Sequence, residues 1–183
     1  MLVNFAHPLF EKSKANKALV NAIQSIEGVT FNDLYEKYPD FFIDVEHEQK
    51  LLLEHDVIIF QHPFYWYSSP SLLKEWQDLV LEHGFAYGEG GYQLKGKKWL
   101  SAITVGGTEA SYAQDGYNQF PIIDLLKPFE QTADFCGMEY LKPYIMYEAL
   151  MLDDIHLAEQ AHLYAQKIRN LIHGALLEQE ESR

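Results

Sequence analysis

The sequence is poor in cysteine and in basic side chains. Cys136 is the only cysteine in 183 residues, which excludes an intramolecular disulfide. Only 14 lysines and arginines stand against 27 aspartates and glutamates, and the net charge is -13. Because a surface this acidic repels phosphate backbones and anionic lipids, we expect no binding to nucleic acid and no direct adsorption to a membrane.

Membrane-spanning and export signals are also lacking. No apolar run approaches the ~20 residues that a transmembrane helix requires, and no basic-plus-apolar leader opens the sequence. We therefore expect a cytoplasmic protein, in which any peripheral association with the inner membrane depends on a protein partner.

Three common kinds of active site have no support in the sequence. The eight histidines show no metal-ligand spacing, so no metal is predicted. No Gly-x-Ser-x-Gly elbow occurs, which disfavours a serine hydrolase. The stretch Gly91 to Lys98 has the spacing of a phosphate-binding P-loop, but it ends in Lys and precedes a strand instead of following one.

The apolar patterns predict five strands alternating with helices in a single domain, residues 1–183. Since strands and helices alternate without a linker or repeat, the fold class is a doubly wound α/β domain with a parallel sheet. For this length the flavodoxin-like strand order 2-1-3-4-5 is favoured. The expected strands are Met1–Ala6, Val29–Leu34, Asp56–Gln61, Trp99–Val105 and Tyr140–Tyr147, the last broken by Pro143.

An aromatic loop follows the third expected strand. Gln61 to Pro70 carries two prolines and four aromatic rings, among them Tyr65 and Trp66, at a point where loops normally use glycine and small polar residues. Ligands of parallel sheets bind beyond the carboxyl ends of the strands, so a rigid aromatic loop there suits a large flat ligand. We interpret that ligand as a flavin; the alternative is that the rings only cover the top of the core.

Two other loops reach the same edge of the expected sheet. After the first strand, Ser13 is the natural N-cap of a helix, and with His7 and Asn16 it offers donors for a phosphate at the helix N-terminus. After the fourth strand, Gly106 and Gly107 allow the backbone to approach a flat ring. An ordinary helix cap and an ordinary glycine turn remain the alternatives.

The sequence resembles the flavodoxin-like NAD(P)H quinone oxidoreductases. Within them it is most similar to the ancillary subunits of glutathione-regulated potassium-efflux systems. The resemblance covers nearly the whole chain, and its most specific motifs are Tyr38-Pro39-Asp40-Phe41 and Gln61-His62-Pro63. Weaker matches are Ala6-His7-Pro8, Ala15-Asn16, Tyr65-Trp66-Tyr67-Ser68, Leu72-Leu73-Lys74, Gly84-Phe85-Ala86-Tyr87-Gly88 and Thr104-Val105-Gly106-Gly107.

This resemblance implies FMN as cofactor, with FAD as an alternative, NADH or NADPH as electron donor, and a homodimer. It implies that His7, Ser13 and Asn16 bind the flavin phosphate. The residues implied around the flavin ring are Pro63, Phe64, Tyr65, Trp66, Thr104, Gly106 and Gly107. Phe85 and Tyr87 fall where relatives line the substrate cavity near the dimer interface.

The implied catalytic pair departs from the family pattern. Tyr112 matches a tyrosine that hydrogen-bonds the reduced flavin, but Asn118 replaces the histidine that many relatives pair with it. An amide cannot take a proton at neutral pH, so turnover is expected to be low if a second acid is needed.

Three functions follow as hypotheses. The first is two-electron reduction of quinones or related electrophiles by NAD(P)H. The second is a regulatory subunit that docks on a potassium-efflux transporter, with the reductase activity secondary. An electron-shuttling flavodoxin is weaker, because Ser13-Lys14-Ala15-Asn16 is unlike the threonine-rich phosphate loop of such carriers.

Overall fold

A parallel sheet carries the fold in a computed structural model that describes residues 1–181, with side chains described through residue 174. Within that range the strands are β1 Leu2–Phe5, β2 Thr30–Asp33, β3 Val57–Pro63, β4 Lys98–Thr104, β5 Glu139–Tyr140 and β6 Tyr144–Met146. Their order is β2-β1-β3-β4-β5, with β6 also paired to β4. The predicted flavodoxin-like fold and strand order are confirmed.

The fifth predicted strand is divided in two. β5 pairs with Lys98 and Trp99, while β6 pairs further along β4, with Ala102 to Thr104. Pro143 lies between the two segments, where it removes a ladder donor and fixes φ, so one continuous strand cannot form there.

Helices cover both faces of the sheet. The described helices are α1 Lys14–Ile23, α2 Leu34–Lys37, α3 Val45–Leu53, α4 Ser71–Val80, α5 Ile122–Leu125, α6 Lys127–Phe135 and α7 Asp154–Glu181. α1 and α7 share one face, where Leu19 and Ile168 pack against Val3 and Ile59 of the sheet. The opposite face packs Ile58 and Phe60 against Trp76 of α4 and Phe129 of α6. Because successive strand residues point to opposite faces, β3 contributes to both cores and is buried throughout.

A buried polar network lies beneath α3. The carboxylate of Glu48 is fully buried and accepts from the Asn32 amide at 2.8 Å, the Trp76 indole at 2.9 Å and the Tyr38 hydroxyl at 2.7 Å. Asn32 also donates to Asn4 at 2.9 Å, which explains why a polar residue interrupts the first apolar strand. The network joins β1, β2, α3 and α4 and fixes their relative positions.

Cys136 is buried at the end of α6, where desolvation raises the pKa of its thiol to about 11. The thiol therefore stays protonated at neutral pH and is a poor nucleophile. Across the described part of the chain there is no cluster of three or more histidine, cysteine, aspartate or glutamate side chains able to hold a metal. None of the described helices has the length and apolar character needed to cross a membrane.

Candidate functional site

The carboxyl ends of β1, β3 and β4 surround a cleft of about 390 Å³. Eight of the residues that the sequence singled out line it: His7, Ser13, Asn16, Pro63, Phe64, Tyr65, Thr104 and Gly106. The structure thus brings together one wall from each of the three predicted loops. The volume falls within the ~300–1,000 Å³ range of small-molecule sites.

One end of the cleft is the N-terminus of α1. Ser13 has extended backbone angles, and its Oγ accepts from the Asn16 backbone amide at 3.2 Å, which makes it the cap that the sequence predicts. The amides of Lys14 and Ala15 lie in the first turn, where no earlier helical carbonyl can accept from them, and both residues line the cleft. The free amides and the helix dipole make this end suitable for an anion.

Asn16 connects the N-terminus of α1 to strand β4 of the sheet. Its Nδ2 donates to Thr104 Oγ1 at 2.9 Å and to Ser13 Oγ at 3.1 Å. Its Oδ1 is buried and has no hydrogen-bond partner among the described residues. Because both hydroxyls accept from Asn16, their own hydrogens are free to donate to a ligand.

His7 presents a neutral imidazole to the cleft. The Leu9 backbone amide donates to His7 Nδ1 at 3.1 Å, so the ring proton is on Nε2. Burial lowers the pKa of this imidazole, which keeps it uncharged at neutral pH. His7 therefore offers one N–H donor.

The loop after β3 forms the aromatic wall. Phe64 is fixed by its amide, which donates to the Thr104 carbonyl at 2.8 Å. Tyr65 and Ser68 exchange two backbone hydrogen bonds around a two-residue turn, in which Trp66 and Tyr67 have φ of 49° and 63°. Positive φ at both central positions defines a primed hairpin turn, normally built from Asn-Gly, and costs non-glycine residues about 1–3 kcal/mol each. Trp66 itself is 92% exposed and lies outside the cleft.

The two glycines of the β4 loop have different roles. A Cβ on Gly106 would meet only Leu150 Cδ1, at 3.7 Å, and Gly106 lines the cleft. A Cβ on Gly107 would lie 2.6 Å from Ser111 Oγ. Gly107 therefore lies close against Ser111 and is not among the residues that line the cleft, and its contact with the ligand remains a prediction.

Tyr112 and Asn118 are near the aromatic loop but are not among the residues that line the cleft. The Tyr112 ring is 6.3 Å from the ring of Phe64 and 6.3 Å from that of Tyr147, and burial raises the pKa of its hydroxyl. Asn118 accepts from the Tyr67 hydroxyl at 3.2 Å and donates to Ser111 Oγ at 3.3 Å. The structure thus gives Asn118 two side-chain partners, neither of which lines the cleft.

The predicted substrate residues do not line the cleft. Phe85 is buried in the core on the α4 face, and the Tyr87 ring packs 5.0 Å from that of Phe135. Their assignment to substrate binding remains a prediction.

Seven cleft residues were not among the predicted site residues, and one of them is Ala15 in the first turn of α1. Lys12 and Lys14 flank Ser13 and line the anion-type end. A Lys-Ser-Lys run in a chain with so few basic residues was a usable signal. Leu9, Ala149, Leu150 and Leu152 carry no recognisable motif, and the last three reach the cleft only because β6 ends beside β4.

His62 lies immediately below the aromatic loop. Its side chain is fully buried, its Nδ1–H donates to the Pro63 carbonyl at 2.9 Å, and its ring lies 5.7 Å from that of Phe129. Desolvation lowers the pKa of this imidazole from 6.5 to about 4. His62 therefore remains neutral in the folded protein throughout the physiological range.

We expect this burial to make the protein acid-sensitive. Between pH 6.5 and pH 4, His62 is protonated in the unfolded chain but neutral in the folded chain. Protonation therefore favours the unfolded chain, and the free energy of unfolding, which is highest above pH 6.5, falls as the pH drops through this window. The shift corresponds to about 3 kcal/mol. We expect the free energy of unfolding in urea to fall between pH 6.5 and pH 4 by about 3 kcal/mol less in His62→Asn than in the parent protein. Parallel pH profiles would contradict the expectation.

Comparisons with known proteins identify relatives along nearly the whole chain. A family model described as flavodoxin-like fold matches residues 1–171. The glutathione-regulated potassium-efflux system ancillary protein KefG of Yersinia pestis (strain Pestoides F) is 49% identical over 170 residues, which cover 93% of this chain and 93% of that protein.

Solved structures agree with the observed fold. General stress protein 14 of Treponema denticola, solved in complex with FMN, matches with a TM-score of 0.88 and 36% identity, covering 93% of this chain and 98% of its own. An NADPH-quinone reductase from P. pentosaceus matches with a TM-score of 0.83 and 32% identity, over 91% and 95%. A chain named as a thermophilic tryptophan halogenase from Streptomycin violaceusniger matches with a TM-score of 0.90 and 46% identity, over 92% and 98%.

Proposed function

The chain belongs to the family with the flavodoxin-like fold, and from that premise we propose that it is an FMN-dependent NAD(P)H quinone oxidoreductase. The observation that carries the proposal is the cleft, in which an anion-binding helix N-terminus and an aromatic wall face one ligand-sized space. Similarity to a quinone reductase and to an FMN-bound protein supports the same reading. The halogenase name stands alone among these three structures.

The donor set at the α1 end fits a phosphate. The Lys14 and Ala15 amides, the Ser13 and Thr104 hydroxyls and the His7 Nε2–H are all donors, while Lys12 and Lys14 add positive charge. A phosphate needs several donors at close range and a favourable dipole, and this end supplies both. We assign His7, Ser13 and Asn16 to the phosphate of FMN, with Asn16 orienting the two hydroxyls.

The remaining walls fit a flat ring. Pro63, Phe64 and Tyr65 provide a rigid apolar face, and Gly106 leaves open space opposite Leu150. Such walls stabilise a tricyclic ring by apolar burial and keep water away from it. We assign Thr104 and Gly106 to the edge of the ring, and Trp66 to its exposed rim.

The residues around the ring support hydride transfer without a titrating protein acid. When bound, FMN supplies the redox chemistry, taking a hydride from NADH or NADPH and passing two electrons to a quinone. Because the pKa of Tyr112 is raised, its hydroxyl stays protonated and can donate to charge that develops near the Phe64 wall. The second proton of the hydroquinone comes from solvent.

A turnover assay tests this function. FMN-loaded protein should oxidise NADH or NADPH in the presence of a simple benzoquinone, with one donor consumed per hydroquinone formed. Free FMN without protein, at the same concentration, serves as the control. Absence of quinone-dependent oxidation with either donor would overturn the proposal.

We also propose that the protein forms a homodimer through the mouth of the cleft. Leu150 lines the cleft and is 86% exposed, and the next residue, Met151, is 79% exposed; Trp66, which follows the cleft-lining Tyr65, is 92% exposed. Large exposed apolar side chains that lie together mark an interaction surface. Sedimentation velocity should give a dimer for the parent and a weaker dimer for Met151→Asp; a parent that stays monomeric at high micromolar concentration would refute this assembly.

A second candidate function is that of a regulatory subunit of a potassium-efflux transporter. The 49% identity to an ancillary protein of such a system favours it, and the two functions are compatible. In this role the protein would reach the inner membrane through its transporter. Co-purification with a transporter encoded next to its gene, in parent and in a flavin-deficient variant, separates the two: docking that survives loss of flavin makes the reductase activity secondary.

A further inference from the structure

We propose that Asn118 is a positioning residue, whose carboxamide holds the strained turn of the aromatic loop against the β4 loop and so sets the shape of the flavin cleft. The inference rests on the proposed function and deepens it. Asn118 stands where many relatives have a catalytic histidine, but its side-chain contacts in the structure connect two loops. We call the contact series Tyr67–Asn118–Ser111 the Asn118 bridge.

Both ends of the Asn118 amide are used. The Tyr67 hydroxyl donates to Asn118 Oδ1 at 3.2 Å, and Asn118 Nδ2 donates to Ser111 Oγ at 3.3 Å. Tyr67 belongs to the turn after β3 and Ser111 to the loop after β4. One side chain thus connects the two loops that carry the ring-facing walls of the cleft.

Asn118 is itself held in place by its backbone. Its amide donates to the Ser111 carbonyl at 2.8 Å. Gly116 makes this approach possible, because a Cβ there would lie 2.4 Å from the Ala110 carbonyl oxygen. The bridge is therefore anchored on a segment whose fold allows little adjustment.

The Ser111 end is equally fixed. Its amide donates to both Thr108 Oγ1 and the Thr108 carbonyl, at 3.1 Å each, and its hydroxyl donates to the same carbonyl at 2.7 Å. Ser111 Oγ also lies where a Cβ on Gly107 would clash. The rigid end of the bridge is thus in contact with the glycine next to Gly106, which lines the cleft.

The other end of the Asn118 bridge is Tyr67, which belongs to a turn with a strained backbone. Trp66 and Tyr67 both have positive φ, which side-chain-bearing residues adopt only when their surroundings enforce it. The Tyr67 hydroxyl is the contact that can enforce it from the β4 loop. Tyr65, the first residue of this turn, lines the cleft, so relaxation of the turn moves the wall.

An amide is suited to this role because it accepts and donates at the same time without titrating. A positioning role therefore predicts weaker FMN binding with an unchanged shape of the pH profile. A proton-transfer role predicts the opposite, a changed pH profile with FMN affinity preserved.

The test uses Asn118→Ala, Tyr67→Phe and their combination. Loss of one hydrogen bond should raise the Kd for FMN about 2- to 10-fold in each single variant. Because both changes break the same bridge, the double variant should be no weaker than the weaker single one. Tyr117→Phe, at the 90% exposed neighbouring tyrosine, is the matched control and should bind FMN like the parent.

A second readout needs no flavin. Trp76 and Trp99 are fully buried and Trp66 is exposed, so iodide-quenchable tryptophan emission reports on Trp66. In apoprotein, the fast local component of its anisotropy decay should increase in Asn118→Ala and in Tyr67→Phe. Unchanged anisotropy, or additive losses of FMN affinity in the double variant, overturns the inference. If the parent fails to bind FMN, the proposed function is overturned instead. The anisotropy decay of the apoprotein variants then still tests whether the Asn118 bridge holds the turn.

Discussion

Gly106→Val should abolish flavin binding while leaving the fold intact. The Gly106 backbone does not have positive φ, and a Cβ there meets only Leu150 at 3.7 Å, so the chain accepts a side chain at this position. The added methyl groups, however, would enter the cleft that Gly106 lines together with the aromatic wall. Since filling a close-packed ring site removes most of its contacts, we expect the Kd for FMN to rise at least about 100-fold.

Gly107→Ala is the matched comparison and should behave differently. Its Cβ would lie 2.6 Å from Ser111 Oγ and 3.1 Å from Tyr112 Cε2, so these packed side chains must move. Overpacking of this kind costs about 1–3 kcal/mol of stability. Thermal unfolding and FMN titration of the two variants should therefore separate: Gly106→Val keeps stability and loses FMN, while Gly107→Ala loses stability. A Gly106→Val protein that binds FMN like the parent would refute the placement of the ring beside Gly106.

Glu48→Ala should destabilise the protein more than any surface change on the same helix. Truncation leaves the donors of Asn32, Tyr38 and Trp76 buried without an acceptor. Lys37, whose Nζ lies 3.4 Å from the carboxylate, loses its buried counter-charge. Breaking a buried charged network from one side costs about 3–5 kcal/mol.

Urea unfolding measures this loss. Glu46→Ala, at an exposed position two residues earlier in α3, is the control and should change stability by less than about 0.5 kcal/mol. If both variants lost a similar free energy of unfolding, the hydrogen bonds of Glu48 would contribute little to stability.

The sheet was predictable because its signals are local. Strand order followed from apolar runs such as Val57 to Phe60, separated by helical patterns, together with the handedness of parallel connections. Ser13 was predictable as a cap for the same reason, since capping depends on residues within one turn. Pro143 marked the interruption between β5 and β6.

The features that the sequence did not reveal depend on distant residues. Asn4 was unexplained because its partners, Asn32 and through it Glu48, come from two other elements. The close approach of Ser111 to Gly107 was not foreseen, because the position of Ser111 depends on the whole loop. The high exposure of Trp66 and the primed turn that carries it were not foreseen, because no local pattern predicts that turn in a Trp-Tyr pair.

The direct test of the account is a titration of apoprotein with FMN and with riboflavin, followed by quenching of flavin fluorescence. The two ligands share the ring and differ in the phosphate, so their affinity ratio measures the contribution of the α1 end. With two or more charge-assisted hydrogen bonds from this end, FMN should bind at least about 100-fold more tightly than riboflavin. Equal affinities, or no binding of FMN, would contradict the assignment of the cleft.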